Sequence, residues 1–162
     1  MKNSIFVVIL TVFALCSLDS YSQMKEHHFG VKYQIKNLNY EVLEDSPNHK
    51  MGLAHGVGLA YLKDGTFANV NVYFVFDYIN GGGNFIENYI IQFKDSSIIS
   101  LKAEGNSYGT ESDPLFSAKV IILKGTGSYA NIKGDGKMTG NRKKNLDESA
   151  TVNLSFEIKY SD

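Results

Sequence analysis

The chain has 162 residues, with 16 Lys and Arg against 17 Asp and Glu, for a formal net charge of −1. That balance excludes a general nucleic-acid binder, which carries a basic excess, and a hydrophobic fraction of 43% excludes a wholly disordered chain. Fifteen glycines against two prolines point to tight turns between long, uninterrupted strands.

Residues 1–22 read as a signal peptide. Lys2 precedes an apolar run from Ile5 to Leu15. The run is too short for a bilayer span, which takes roughly 20 apolar residues. Ser20 and Ser22 are the small residues at −3 and −1 of a cleavage after Ser22. Cys16 invites a lipoprotein reading, but Leu15 before it is a poor fit to the small residue a lipobox expects. Cleavage after Ser22 leaves residues 23–162 as one domain without cysteine, hence without a disulfide or a thiolate metal site. The expected location is secreted or periplasmic, with no stable membrane anchor.

Strands are predicted along almost the whole of residues 23–162. The first two fall at 29–43 and 53–62, and a third, rich in β-branched and aromatic residues, at 66–79. In 85–94, Phe85, Glu87, Tyr89, Ile91 and Phe93 share one face by period-2 alternation. Further strands are predicted at 98–105, 115–123 and about 134–142. The last, 151–160, sets Val152, Leu154, Phe156, Ile158 and Tyr160 against Thr151, Asn153, Ser155, Glu157 and Lys159. KDGT at 63–66, NGGGN at 80–84, KDSS at 94–97 and ESDP at 111–114 supply turns. No segment has the pattern of a three-turn amphipathic helix. Eight long antiparallel strands predict an all-β fold, a closed barrel in preference to a sandwich, because no edge strand is guarded by proline or charge. The charges Arg142, Lys143, Lys144, Asp147 and Glu148 read as a solvated hairpin tip.

Residues 125–140, GTGSYANIKGDGKMTG, hold Gly125, Gly127 and Ala130 at dinucleotide-fingerprint spacing. The fingerprint needs a helix whose amino terminus holds the pyrophosphate, and Gly134 and Gly136 interrupt any such helix. With the preceding strand AKVIILKG, the segment instead resembles the late-barrel motif of the allene oxide cyclase and dirigent superfamily. Gly125, Thr126, Gly127, Tyr129, Ala130 and Gly134 carry the resemblance, which spans roughly residues 53–160. It implies an eight-stranded antiparallel, allene oxide cyclase-like (calycin-like) barrel around an aromatic-lined cavity. It also implies activity on hydrophobic small molecules without a cofactor, by cyclisation or radical coupling, and assembly as trimers or other oligomers. No catalytic residue of the superfamily aligns with a position here. A lipocalin-like barrel ranks lower, since its amino-terminal helix and GxW motif are absent.

If the most apolar face of each strand points inward, the lumen holds Leu53, His55, Val57, Leu59 and Tyr61, then Phe74, Phe76 and Tyr78, then the Phe85–Phe93 face. Glu87 is the candidate acid or base: a carboxyl against aromatic walls has a raised pKa. It lies a few residues past Gly83, so a wet position at the rim is the competing placement. His55 is a candidate base oriented by Glu87. Tyr61, Phe76, Tyr78, Tyr89 and Phe93 are candidate ligand contacts, apolar rings of which three carry a hydroxyl. His27, His28, His49 and His55 lack HxH or HxxxH spacing, so no metal is expected. Tyr73 and Val75, on the other face of the third strand, are candidates for a subunit contact. The reading is a barrel that binds a hydrophobic small molecule and cyclises or isomerises it. The alternative is a non-catalytic carrier or interaction protein with a filled barrel.

Overall fold

A computed structural model describes residues 24–161. The signal-peptide reading and Cys16 lie outside the described residues. Eight strands follow in chain order: β1 Lys25–Leu43, β2 His49–Leu62, β3 Phe67–Ile79, β4 Gly82–Gln92, β5 Ile98–Thr110, β6 Asp113–Gly125, β7 Lys133–Arg142 and β8 Thr151–Ser161. One 3-10 turn, Gly127–Tyr129, lies between β6 and β7. Each strand pairs antiparallel with the next, and β8 pairs with β1, so the sheet closes into a barrel with no free edge. The expected eight-stranded antiparallel closed barrel is the observed fold.

The strands outrun their apolar stretches. β5 continues to Thr110 through the polar GNSYGT because β6 folds back on it, Thr110 opposite Asp113. The β3–β4 connection is Asn80–Gly81, both at positive φ, the geometry a two-residue hairpin requires.

The two ends differ in their connections. The mouth carries the β2–β3, β4–β5 and β6–β7 loops; the base carries β1–β2, β3–β4, β5–β6 and β7–β8. Between them the inward side chains of β3, β4 and β8 pack as their alternation predicts, including Val72, Phe74, Tyr89 and Phe156.

β2 is inverted relative to the expectation. Its inward face is Gly52, Ala54, Gly56, Gly58 and Ala60, while Leu53 and Tyr61 are exposed. Volume explains the choice. A Cβ on Gly56 would lie 2.5 Å from the Tyr33 ring, and one on Gly58 2.0 Å from the Lys32 carbonyl. β1 fills the lumen with Tyr33, so β2 beside it must be small. The face with the larger side chains is left for the outside.

Candidate functional site

Glu87 sits in the middle of the lumen and is buried, not at the rim. β4 places it there by alternation between Phe85 and Tyr89, with Phe74 and Ala103 opposite on the neighbouring strands. The Tyr33 hydroxyl donates to Glu87 Oε1 at 3.1 Å. The Tyr89 hydroxyl donates to Oε2. Burial pushes the Glu87 carboxyl up from 4.5 to about 7, against the opposing pull of the two tyrosine hydrogen bonds. Burial first, and the Glu87 charge second, push the phenols of Tyr33, Tyr78 and Tyr89 upward. Near neutral pH this carboxyl can therefore hold or release a proton while its tyrosine neighbours stay neutral.

Below Glu87 the base is sealed by Arg142. The expected solvated tip does not include it: Arg142 is the last residue of β7, and its side chain is buried. Nε donates to the Lys144 carbonyl at 2.7 Å and Nη2 to the Glu111 carbonyl at 3.1 Å. These bonds replace the water a guanidinium loses. Lys143, Lys144, Asp147 and Glu148 are exposed, and Lys143 meets Asp113 at 2.9 Å.

His55 and Tyr61 are not in the lumen. His55 lies half-buried on the outer wall, its Nε2 3.1 Å from Asn71 Oδ1 and its ring stacked on Tyr73 at 4.6 Å. The wall separates it from Glu87, so the proposed pair does not form. Tyr61 is exposed. Both errors follow from the β2 inversion. Phe76, Tyr78 and Tyr89 do point inward, but into the packed part of the lumen.

The open space is at the mouth. A shallow pocket there has Ala60, Ile91, Leu101 and Ile158 as its buried floor. Phe93 lines it, together with His27, Phe29, Tyr129 and Tyr160. No lining residue is an aspartate, glutamate, lysine or arginine. Beneath the floor, Tyr89 and Phe156 meet edge to face at 5.2 Å and are fully buried, which separates the pocket from Glu87.

One pocket wall is the GTGSYANI segment. Asp95 Oδ2 accepts from Ser97 Oγ at 2.6 Å and from Ser128 Oγ at 3.0 Å, clamping the 3-10 turn to the β4–β5 loop. The Thr126 amide donates to the Ile98 carbonyl at 2.9 Å, and the Ile98 amide donates to Thr126 Oγ1 at 3.1 Å. Tyr129 then packs on Phe93 with ring centroids 4.8 Å apart. Sequence reasoning missed Tyr129, Tyr160, Tyr33 and Arg142 as lumen or pocket groups. The alternation of Phe29, Val31, Tyr33 and Ile35 along β1 was the available signal for Tyr33.

No family model matches the sequence, and no curated protein does. Solved structures do match in shape. A pterocarpan synthase dirigent protein superposes with a TM-score of 0.52 at 10% identity, over 90% of this chain and 94% of that one. A conserved protein of unknown function from Rhodopseudomonas palustris gives 0.53 at 10% identity, over 85% and 98%. The fold is the dirigent-like barrel. At that identity the likeness concerns architecture, and the chemistry has to come from the residues here.

Proposed function

We propose that this protein is an exported dirigent-like barrel that binds a hydrophobic small molecule in its mouth pocket. The observation that carries the reading is the pocket itself: an apolar floor, aromatic walls, no charged lining group, and hydrogen-bonding side chains confined to His27, Tyr129 and Tyr160. Such a site favours an uncharged apolar body and fixes its orientation by one or two polar atoms. The likeness to a pterocarpan synthase dirigent protein supports a barrel that holds or directs a small ligand. Export rests on the leader pattern of residues 1–22.

A second reading, cyclisation or isomerisation, is favoured by Glu87. A carboxyl with a pKa of about 7 between two phenols is suited to proton transfer. A ligand in the mouth pocket does not touch it, because Tyr89 and Phe156 intervene. The arrangement therefore supports binding more directly than turnover. Titrating the protein with an environment-sensitive apolar fluorophore tests both. Saturable binding, a raised melting temperature, and at least a tenfold loss of affinity in Phe93→Ala are expected. Glu87→Gln leaves affinity unchanged if the ligand stops at the floor. Absence of saturable binding would overturn the first reading. A loss in Glu87→Gln as large as that in Phe93→Ala would show that ligand reaches the carboxyl.

A further inference from the structure

The hydrogen-bonding side chains of the mouth pocket are held in two different ways. His27 belongs to β1 and Tyr160 to β8, strands paired along the closed sheet. Tyr129 belongs to no strand. It sits in the connection 126–132, whose regular structure is a single 3-10 turn without a side-chain cap. One such turn does not hold itself in place. The β4–β5 loop supplies what it lacks. Asp95 Oδ1 accepts from the Ser97 amide at 3.0 Å, while Oδ2 serves the Ser97 and Ser128 hydroxyls. The Ser128 amide donates to Ser97 Oγ at 3.2 Å. Gly127, at φ 57°, lets the turn lie against Ser97, where a Cβ would stand 2.8 Å from Ser97 Oγ. These bonds, the Ser97 hydroxyl first, hold the Asp95 carboxyl below its ordinary range.

We propose that Asp95 is the positioning residue of the mouth pocket: through Ser97 and Ser128 it fixes where the Tyr129 hydroxyl stands relative to Tyr160, and so selects ligands with a polar atom at each end of an apolar body. The inference rests on the binding reading above. Its geometry comes from the strand order. Tyr129 packs on Phe93, which directly follows β4, and in the ring of eight strands β4 is diametrically opposed to β8, the strand of Tyr160. Both rings line the same pocket, with the apolar floor between them. The Tyr160 side of the pocket is set by the sheet. The Tyr129 side is set by one carboxylate that itself lies outside the pocket lining. Releasing that carboxylate changes the spacing of the polar groups without removing any group that touches the ligand.

Displacement of the neutral dye N-phenylnaphthylamine by straight-chain alcohols and by the corresponding terminal diols, from hexane to dodecane, tests the proposal. A second hydroxyl without a partner lowers affinity for an apolar pocket, because it loses water on entry. In the wild type that penalty should vanish at the chain length that spans the two tyrosines, a relative gain of about fivefold for one hydrogen bond. Asp95→Ala should restore the penalty at every length, and Ser128→Ala should do so in part, while affinity for the alcohols is kept. Asp95→Asn should retain the wild-type pattern, since its carbonyl can serve the Ser97 amide and its amide the two hydroxyls. Asp64 holds a different mouth turn, its Oδ1 accepting from the Thr66 amide at 2.8 Å. Asp64→Ala should lower the melting temperature and leave the pattern unchanged. In the ligand-free protein, nuclear Overhauser contacts between the Tyr129 and Phe93 rings should weaken in Asp95→Ala and persist in Asp95→Asn. The positioning role is overturned by an unchanged diol pattern or unchanged ring contacts in Asp95→Ala, by the same loss in Asp64→Ala, or by a wild type that penalises the diol at every length. Absence of dye binding by the wild type would instead overturn the binding reading, and this inference with it.

Discussion

At the mouth of the barrel the wall ends in aliphatic and aromatic side chains around an open pocket, whereas at the base the hairpin turns are tied together by polar groups. Both ends are built from the same alternating strands. At the base, Arg142 finds the Lys144 and Glu111 carbonyls, the Asn48 amide donates to Asn80 Oδ1 at 3.0 Å, and His49 bridges Asp45 and Asp77. Hairpin turns expose carbonyls and side-chain amides, so a polar plug can be satisfied there without water. The mouth has no such partners in its floor, and its apolar lining is left for something else to cover. The difference teaches that this barrel is neither open nor filled throughout. It is a packed lower body carrying a shallow apolar cup.

The largest expected effect separates the body from the cup. Phe156 is fully buried against Tyr89 and Phe29 in the body. Phe156→Ala should cost about 3–5 kcal/mol in urea unfolding, from lost transfer energy and a cavity. Phe93 lies at the cup wall and is only partly buried. Phe93→Ala should cost about 1 kcal/mol, yet remove most of the ligand affinity. Equal stability losses at the two positions would break the division.

How far the sequence reveals this division depends on whether a strand's fill is decided locally. In β4 and β8 it is: Phe85, Tyr89, Phe156 and Ile158 face inward as their alternation requires. In β2 it is not. Leu53, Val57, Leu59 and Tyr61 form the more apolar face, but Tyr33 of β1 occupies the space they would need. Alternation reports which residues share a face, while the volume left by neighbouring strands decides which face turns in. Arg142 fails for a related reason. Beside Lys143 and Lys144 it reads as a surface charge, and the Glu111 carbonyl that receives it is 31 positions away. Glu87 was legible as an acid on an aromatic face. Its partner Tyr33, 54 positions earlier, was not.

The body also holds the proton-dependent part of the stability. Glu87 binds its proton more tightly folded, at about 7, than at the ordinary 4.5. Between those values the folded state holds a proton the unfolded state has released, so stability falls as pH rises through that window. The shift corresponds to roughly 3 kcal/mol. Glu87→Gln keeps an acceptor for one tyrosine and cannot titrate. Urea midpoints of the wild type should decline from pH 4.5 to 7 by more than those of Glu87→Gln. Parallel declines would place the carboxyl in contact with water, contrary to its sealed position.

The base supplies the smallest effect, with the opposite kind of group. The His49 ring is buried, with Nδ1 2.7 Å from Asp45 Oδ1 and Nε2 2.6 Å from Asp77 Oδ1. The Asp77 and Asp45 hydrogen bonds raise its pKa above 6.5. A group with a raised folded-state value contributes fully below the unfolded value and loses that contribution as pH climbs through the folded one. The advantage of the wild type over His49→Gln should therefore be greatest at pH 6 and shrink above 6.5. Glu87 is common to both proteins, so its titration cancels in the difference. Asp45 is exposed and Asp77 partly so, and added salt should therefore weaken the advantage at pH 6. An advantage constant in pH and salt would mean that the neutral ring only packs there, and that the plug at the base is held by Arg142 and the asparagines alone.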